Sequence, residues 1–203
     1  WSVVSAADFS ENLAAGMEAL GGAFFTSNLI FLRLPEKKQR EKKSRKIIEY
    51  ADLQNMGVIL LANESGKKIE GQKPLVMLID EGKTGWEASM ELGNMDLALL
   101  IAYKLKRNWK NDLHLIARIS SADDRQQAKK YLQSIVELAR IPNAEIRVIN
   151  TGEENDLIAK IDPSVIISSF SVETTIDNMR SQSEQLGLPF LFTMDSGKEN
   201  ALV

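Results

Sequence analysis

Residues 113–149, LHLIARISSADDRQQAKKYLQSIVELARIPNAEIRVI, decide how the rest of the chain is read. Leu113–Ile119 is a short, almost wholly apolar run, the pattern of a strand buried on both faces of a parallel sheet. Ser121, with Asp124 three residues later, resembles a capping pair at a helix start. Ala128, Leu132, Ile135 and Ala139 then recur at helical spacing as one apolar stripe, and Pro142 stops the helix. Ala144–Ile149 is β-rich again. A strand, an amphipathic helix and a second strand in this order imply a right-handed crossover in a parallel sheet covered by helices.

The same alternation extends in both directions. Further strands are expected at Asn28–Leu34, Gly57–Asn63, Leu75–Asp80, Val165–Ser169 and Pro189–Met194. Helices are expected near Phe9–Leu20, Glu36–Asn55, Met95–Asn108, Glu154–Lys160 and Val172–Leu186. The last of these carries Val172, Ile176, Met179 and Leu186 on one face and ends at Gly187, before Pro189. The fold class is therefore α/β, with mainly parallel sheets. The polar stretch Glu64–Lys73, with Gly66 and Gly71, marks a lobe boundary, which gives an N-terminal lobe over 1–70 and a C-terminal lobe over 71–203. A second polar stretch, Glu81–Asn94, reads as a long mobile loop.

Composition narrows the function. The chain has 203 residues, 44% of them hydrophobic and 26% charged, with only 12 Gly and 5 Pro, which argues against disorder. Its net charge is -3, so it lacks the basic excess of a nucleic-acid binder. It holds no cysteine, which excludes disulfides, thiolate metal sites and a cysteine nucleophile, and fits a reducing compartment. The longest unbroken hydrophobic stretch, Leu97–Tyr103, is far short of the roughly 20 residues of a membrane helix. No signal peptide is visible. The chain opens on Trp1, and the expectation is a soluble piece of something larger.

No motif supplies catalytic, cofactor or metal residues. Gly82-Lys83-Thr84 lacks the earlier glycine of a phosphate loop, because Met77 stands there, and Gly66-Lys67-Lys68 and Gly197-Lys198-Glu199 fail likewise. Gly82 and Gly85 follow a strand, but the next helix is delayed until about Met95, so a dinucleotide fingerprint is weak. Ser120, Ser121, Ser168 and Ser169 lie where α/β sheets bind ligands, but turn formation and capping explain them as well. His114, the only histidine, sits within a strand as a structural residue. There is no Gly-x-Ser-x-Gly elbow. Acidic pairs such as Asp123–Asp124 and Glu153–Glu154 fall at helix starts and complement the helix dipole. Lys37, Lys38, Arg40, Lys42, Lys43, Arg45 and Lys46 crowd one helix. In a membrane-tethered protein such a cluster could meet anionic lipid. The plainer reading is a solvated face relieved by Glu36, Glu41 and Glu49.

Three segments, taken in order, carry a family resemblance. They are Ala19–Phe25 with Asn28–Leu32, Asn94–Tyr103 running on to Arg107–Trp109, and Phe190–Phe192 with Asp195–Leu202. Together they resemble the C-terminal cytosolic domain of cation–chloride cotransporters, and of a prokaryotic member in particular. Asn28–Leu34 and Gly57–Leu61 also echo the paired early strands of that domain. The resemblance implies a two-lobed α/β fold similar to universal stress proteins, on the cytoplasmic face of the cell membrane. It implies that the domain follows a membrane part that moves cations and chloride electroneutrally, and that it serves homodimer assembly and control of transport. The glycine-rich nucleotide motif of ATP-binding stress proteins is missing, so any nucleotide is expected to bind weakly. The partners expected are a second copy of the chain and the membrane domain of the same polypeptide, not nucleic acid. The dimer face is expected on the last strand and its helix, at Ile176, Met179, Phe190, Phe192 and Met194. The alternative is an adenine-nucleotide sensor of the universal-stress-protein type.

Overall fold

A computed structural model describes residue 16 and residues 28–63, 66–81, 85–86 and 92–202. The expected helix near Phe9–Leu20 and most of the Glu81–Asn94 loop lie outside the described residues.

Seven strands form one sheet: β1 (Leu29–Arg33), β2 (Gly57–Ala62), β3 (Leu75–Asp80), β4 (Leu113–Ile119), β5 (Ala144–Asn150), β6 (Val165–Ser169) and β7 (Phe190–Met194). The helices between them are α1 (Lys38–Leu53), α2 (Asp96–Trp109), α3 (Arg125–Leu138), α4 (Glu154–Ile161) and α5 (Ile176–Leu186). A short 3-10 turn, Ala122–Asp124, leads into α3. The strand order is β1-β2-β7-β6-β3-β4-β5, and every neighbouring pair is parallel except β2 and β7.

Side chains alternate across this sheet, so each face has its own core. On the first face, Val76, Leu78, Ile166, Phe190 and Phe192 pack with Ile47 and Ile48 of α1, Ile158 of α4, and Ile176 and Met179 of α5. On the second, Leu75, Met77, Leu115, Val165 and Ile167 meet Ala98, Leu99 and Ala102 of α2 and Ala128, Leu132 and Ile135 of α3. From β3 the chain builds outward through β4 and β5, then returns past β3 to build β6 and β7. Right-handed crossovers in the two directions put helices on opposite faces, and the carboxyl ends of β3 and β6 become the switch point at which sheets of this kind form their crevice.

Units β1-α1-β2 and β6-α5-β7 are two parallel strand pairs whose helices cover the same face. They meet at the antiparallel β2–β7 pair, with Leu60 opposite Phe192. This relates them by an approximate two-fold axis normal to the sheet. β1, at one edge of the sheet, is thus the counterpart of β6.

Local signals set most element ends. The Ser121 hydroxyl accepts from the Asp123 amide at 3.3 Å. Thr175 caps α5 by accepting from the Asn178 amide at 3.2 Å, which moves the helix start from the expected Val172 to Ile176. Val172 instead packs against the first core from the loop. Gly187 ends α5 with φ +57°, a left-handed cap that costs glycine least.

Candidate functional site at the strand ends

The crevice is where an α/β sheet of this topology would take an anionic ligand, and three features there could hold negative charge. They are the start of α2, the Gly197 turn after β7, and Arg118 at the end of β4.

The N-terminus of α2 follows Met95, which supplies no side-chain cap. Its first amides, free of intrahelical partners, donate instead to a remote carboxylate. Asp195 accepts from Asp96 N at 2.8 Å and from Leu97 N at 3.0 Å. Asn94 fixes this geometry: its Oδ1 accepts from Asp195 N at 2.7 Å, and its Nδ2 donates to Phe170 O at the end of β6. Asp96 points the other way and accepts from Ala201 N at 2.6 Å. That bond draws Ala201 and Leu202 into the second core, where they are 5% and 4% exposed.

These carboxylates are crowded. Burial, then the charges of Asp96 and Glu199, push Asp195 up to about 7, against the two amide bonds that work to lower it. Asp96 is also raised, mainly by burial and further by Glu199. Burial and the Asp96 charge push Tyr131 of α3 up to about 12.

The second feature is filled from within as well. In the Gly197 turn, Glu199 accepts from Ser196 N and Ser196 Oγ, both at 2.8 Å. Arg118 forks onto Asp80 of β3, with Nε at 2.7 Å from Oδ1, and lies 3.5 Å from Glu154 of α4. Burial works to lower the Arg118 pKa, but the bond to Asp80 and the two acidic charges outweigh it, and the group is raised. Each of the three anion-holding features therefore already has a carboxylate of the same chain.

The candidate residues distribute as follows. Ile176, Met179, Phe190, Phe192 and Met194 are between 0% and 5% exposed and lie in the first core. The expectation that they face a second copy is corrected: the apolar face of β7 is covered by this chain's own helices. His114 is buried, with Nδ1 at 3.3 Å from Glu145 Oε2 but without hydrogen-bond geometry, and burial lowers its pKa. Ser168 is buried and Ser121 is a cap, while Gly82, Lys83 and Thr84 lie outside the described residues. Sequence reasoning missed the Asn94, Asp96, Asp195 and Glu199 network. A signal was present: Asn94–Tyr103 and Asp195–Leu202, two of the segments that carry the family resemblance, are the ones that bond to each other here.

The topology defines a mainly parallel α/β domain whose anion-holding features at the strand ends are occupied by its own side chains. Solved structures agree on the fold. A universal stress protein from Archaeoglobus fulgidus matches 88% of this chain and 64% of its own, at 14% identity and a TM-score of 0.50. A functionally unknown protein from Pseudomonas aeruginosa matches 92% and 68%, at 13% identity and a TM-score of 0.56. The cytoplasmic domain of a prokaryotic cation chloride cotransporter matches over 95% of this chain and 73% of that one, at 41% identity and a TM-score of 0.84. No curated protein matches. Two family models, the first and second parts of the prokaryotic cation-chloride cotransporter C-terminal domain, match residues 1–68 and 71–202. The chain belongs to the prokaryotic cation-chloride cotransporter family, as the cytoplasmic C-terminal domain of such a transporter. No helix among the described residues is long and apolar enough to cross a membrane.

Proposed function

We propose that this domain regulates and dimerises a cation–chloride cotransporter, whose membrane part performs electroneutral symport of cations and chloride. On this reading the domain has no enzymatic activity. Its partners are a second copy of itself and the membrane domain of its own polypeptide. The carrying observation is that Asp195, Glu199 and Asp80 occupy the anion-holding features at the strand ends, so the crevice serves cohesion and not catalysis. The same observation disfavours the adenine-nucleotide sensor, because a phosphate would have to displace a carboxylate at each position. Residues 1–70 and 71–203 act as two lobes joined along β2 and β7. The separate family matches to 1–68 and 71–202 support that division.

The dimer contact has to lie on surface left open by the monomer. Phe31 is 58% exposed on the edge strand β1, on the face opposite α1. Its two-fold counterpart β6 is flanked by β3 and buries the same face, so β1 offers a sheet margin for a second copy. Light scattering over a concentration series should give a dimer for the wild type and a monomer for Phe31→Asp. A wild-type monomer at the highest soluble concentration would sink the dimer reading.

A further inference from the structure

The basic run on α1 has no part in the role above. Residues 37–46 hold seven Lys or Arg against one Glu, a net charge of +6, in a chain whose net charge is -3. Glu36, Glu41 and Glu49 are expected to relieve this charge; Glu49 does so at Arg45, whereas Glu36 and Glu41 turn to arginines outside the run. Glu36 pairs with Arg33 at 3.2 Å, Glu41 with Arg180 at 2.7 Å, and Glu49 with Arg45 at 2.9 Å. Arg33 and Arg180 lie outside the run, and Arg45 is drawn inward, donating also to Thr174 O at 3.0 Å. Among the described residues these three acids therefore pair with arginines and not with Lys38, Lys42 or Lys46.

Lys38, Lys42 and Lys46 follow at four-residue spacing, and Leu53 comes seven residues later. These steps keep all four on one stripe of the helix, opposite the buried Ile47, Ile48 and Ala51. The three lysines are exposed, and Leu53 is 76% exposed. We propose that this stripe of α1 rests on the anionic headgroups of the cytoplasmic membrane surface. The proposal rests on the family assignment, which tethers the domain beside a bilayer. A convex lysine face suits diffuse negative charge, whereas phosphate recognition in a pocket favours the forked guanidinium of arginine. An exposed leucine on the same stripe suits shallow insertion among headgroups.

The test is co-sedimentation of the purified chain with phosphatidylcholine vesicles, and with vesicles containing about a third phosphatidylglycerol, at low and raised salt. Binding is expected only to the anionic vesicles, and salt should abolish it. Each surface lysine contributes roughly fivefold to partitioning, so Lys38→Gln, Lys42→Gln and Lys46→Gln together should lower it about a hundredfold. The triple Lys→Arg variant should retain binding. Lys104→Gln, Lys129→Gln and Lys130→Gln remove the same charge from α2 and α3, across the sheet, and should leave binding unchanged. The proposal is overturned by absent binding, by equal binding to both vesicles, or by an equal loss in the α2 and α3 variant.

Discussion

Replacing Asp195 by Asn should make the chain progressively more stable, relative to wild type, as pH rises. In the folded state Asp195 titrates at about 7, because burial and the charges of Asp96 and Glu199 disfavour its ionised form. In the unfolded chain it titrates near the ordinary value of 3.8. A raised folded pKa contributes stability that is fully present below the unfolded pKa and is lost as pH climbs through the folded one. Between those values the folded state holds one more proton than the unfolded state, and stability falls by about 1.4 kcal/mol per pH unit. From about pH 5 to pH 7 the full effect would be roughly 2.7 kcal/mol. Asp195 keeps part of its surface in water, so screening reduces this to about half. Asn cannot ionise, but its amide oxygen can still accept one of the two α2 amides. Urea unfolding of both proteins across about pH 5 to 8, at fixed ionic strength, should therefore show the variant gaining about 1–1.5 kcal/mol on wild type, with the gap level above the folded pKa. A difference constant within about 0.5 kcal/mol, or one moving the other way, would refute a desolvated carboxylate at this helix start.

Leu202→Ala should cost about 2–4 kcal/mol in the same assay, because it empties a buried position that the Asp96–Ala201 bond holds in the second core; a loss under about 1 kcal/mol would mean that the tail is not docked. Thr175→Ala removes the side-chain cap of α5 and should cost about 1 kcal/mol, whereas Thr175→Ser should cost little. Calorimetry with ATP should find no binding at micromolar concentrations, and a micromolar dissociation constant would restore the nucleotide-sensor reading. Elemental analysis of the purified chain should find no stoichiometric zinc, and metal whose chelation unfolds the protein would contradict the reading of His114 as structural.

The sequence by itself determined the elements and the class of fold. Apolar runs such as Leu75–Asp80 and Val165–Ser169 are buried strands because their side chains have apolar neighbours on both faces. The stripe Ala128, Leu132 and Ile135, the Ser121 cap and the Gly187 stop act within a turn or two of chain, and such short-range preferences are legible residue by residue. Only the tertiary structure decided what depends on partners distant in the chain. The apolar face of β7 could serve a core or an interface, and packing by α1 and α5 settled it as core. The start of α2 carries no cap of its own, and the carboxylate that serves it comes from Asp195, about a hundred residues on. Glu41 reads as a neighbour of lysines on its helix, yet it turns to Arg180 on α5, which sits in reach only once both helices lie on one face of the sheet. Periodicity records which side of an element is apolar. The partner of a polar or charged group is fixed by distances that exist only after the chain has closed on itself.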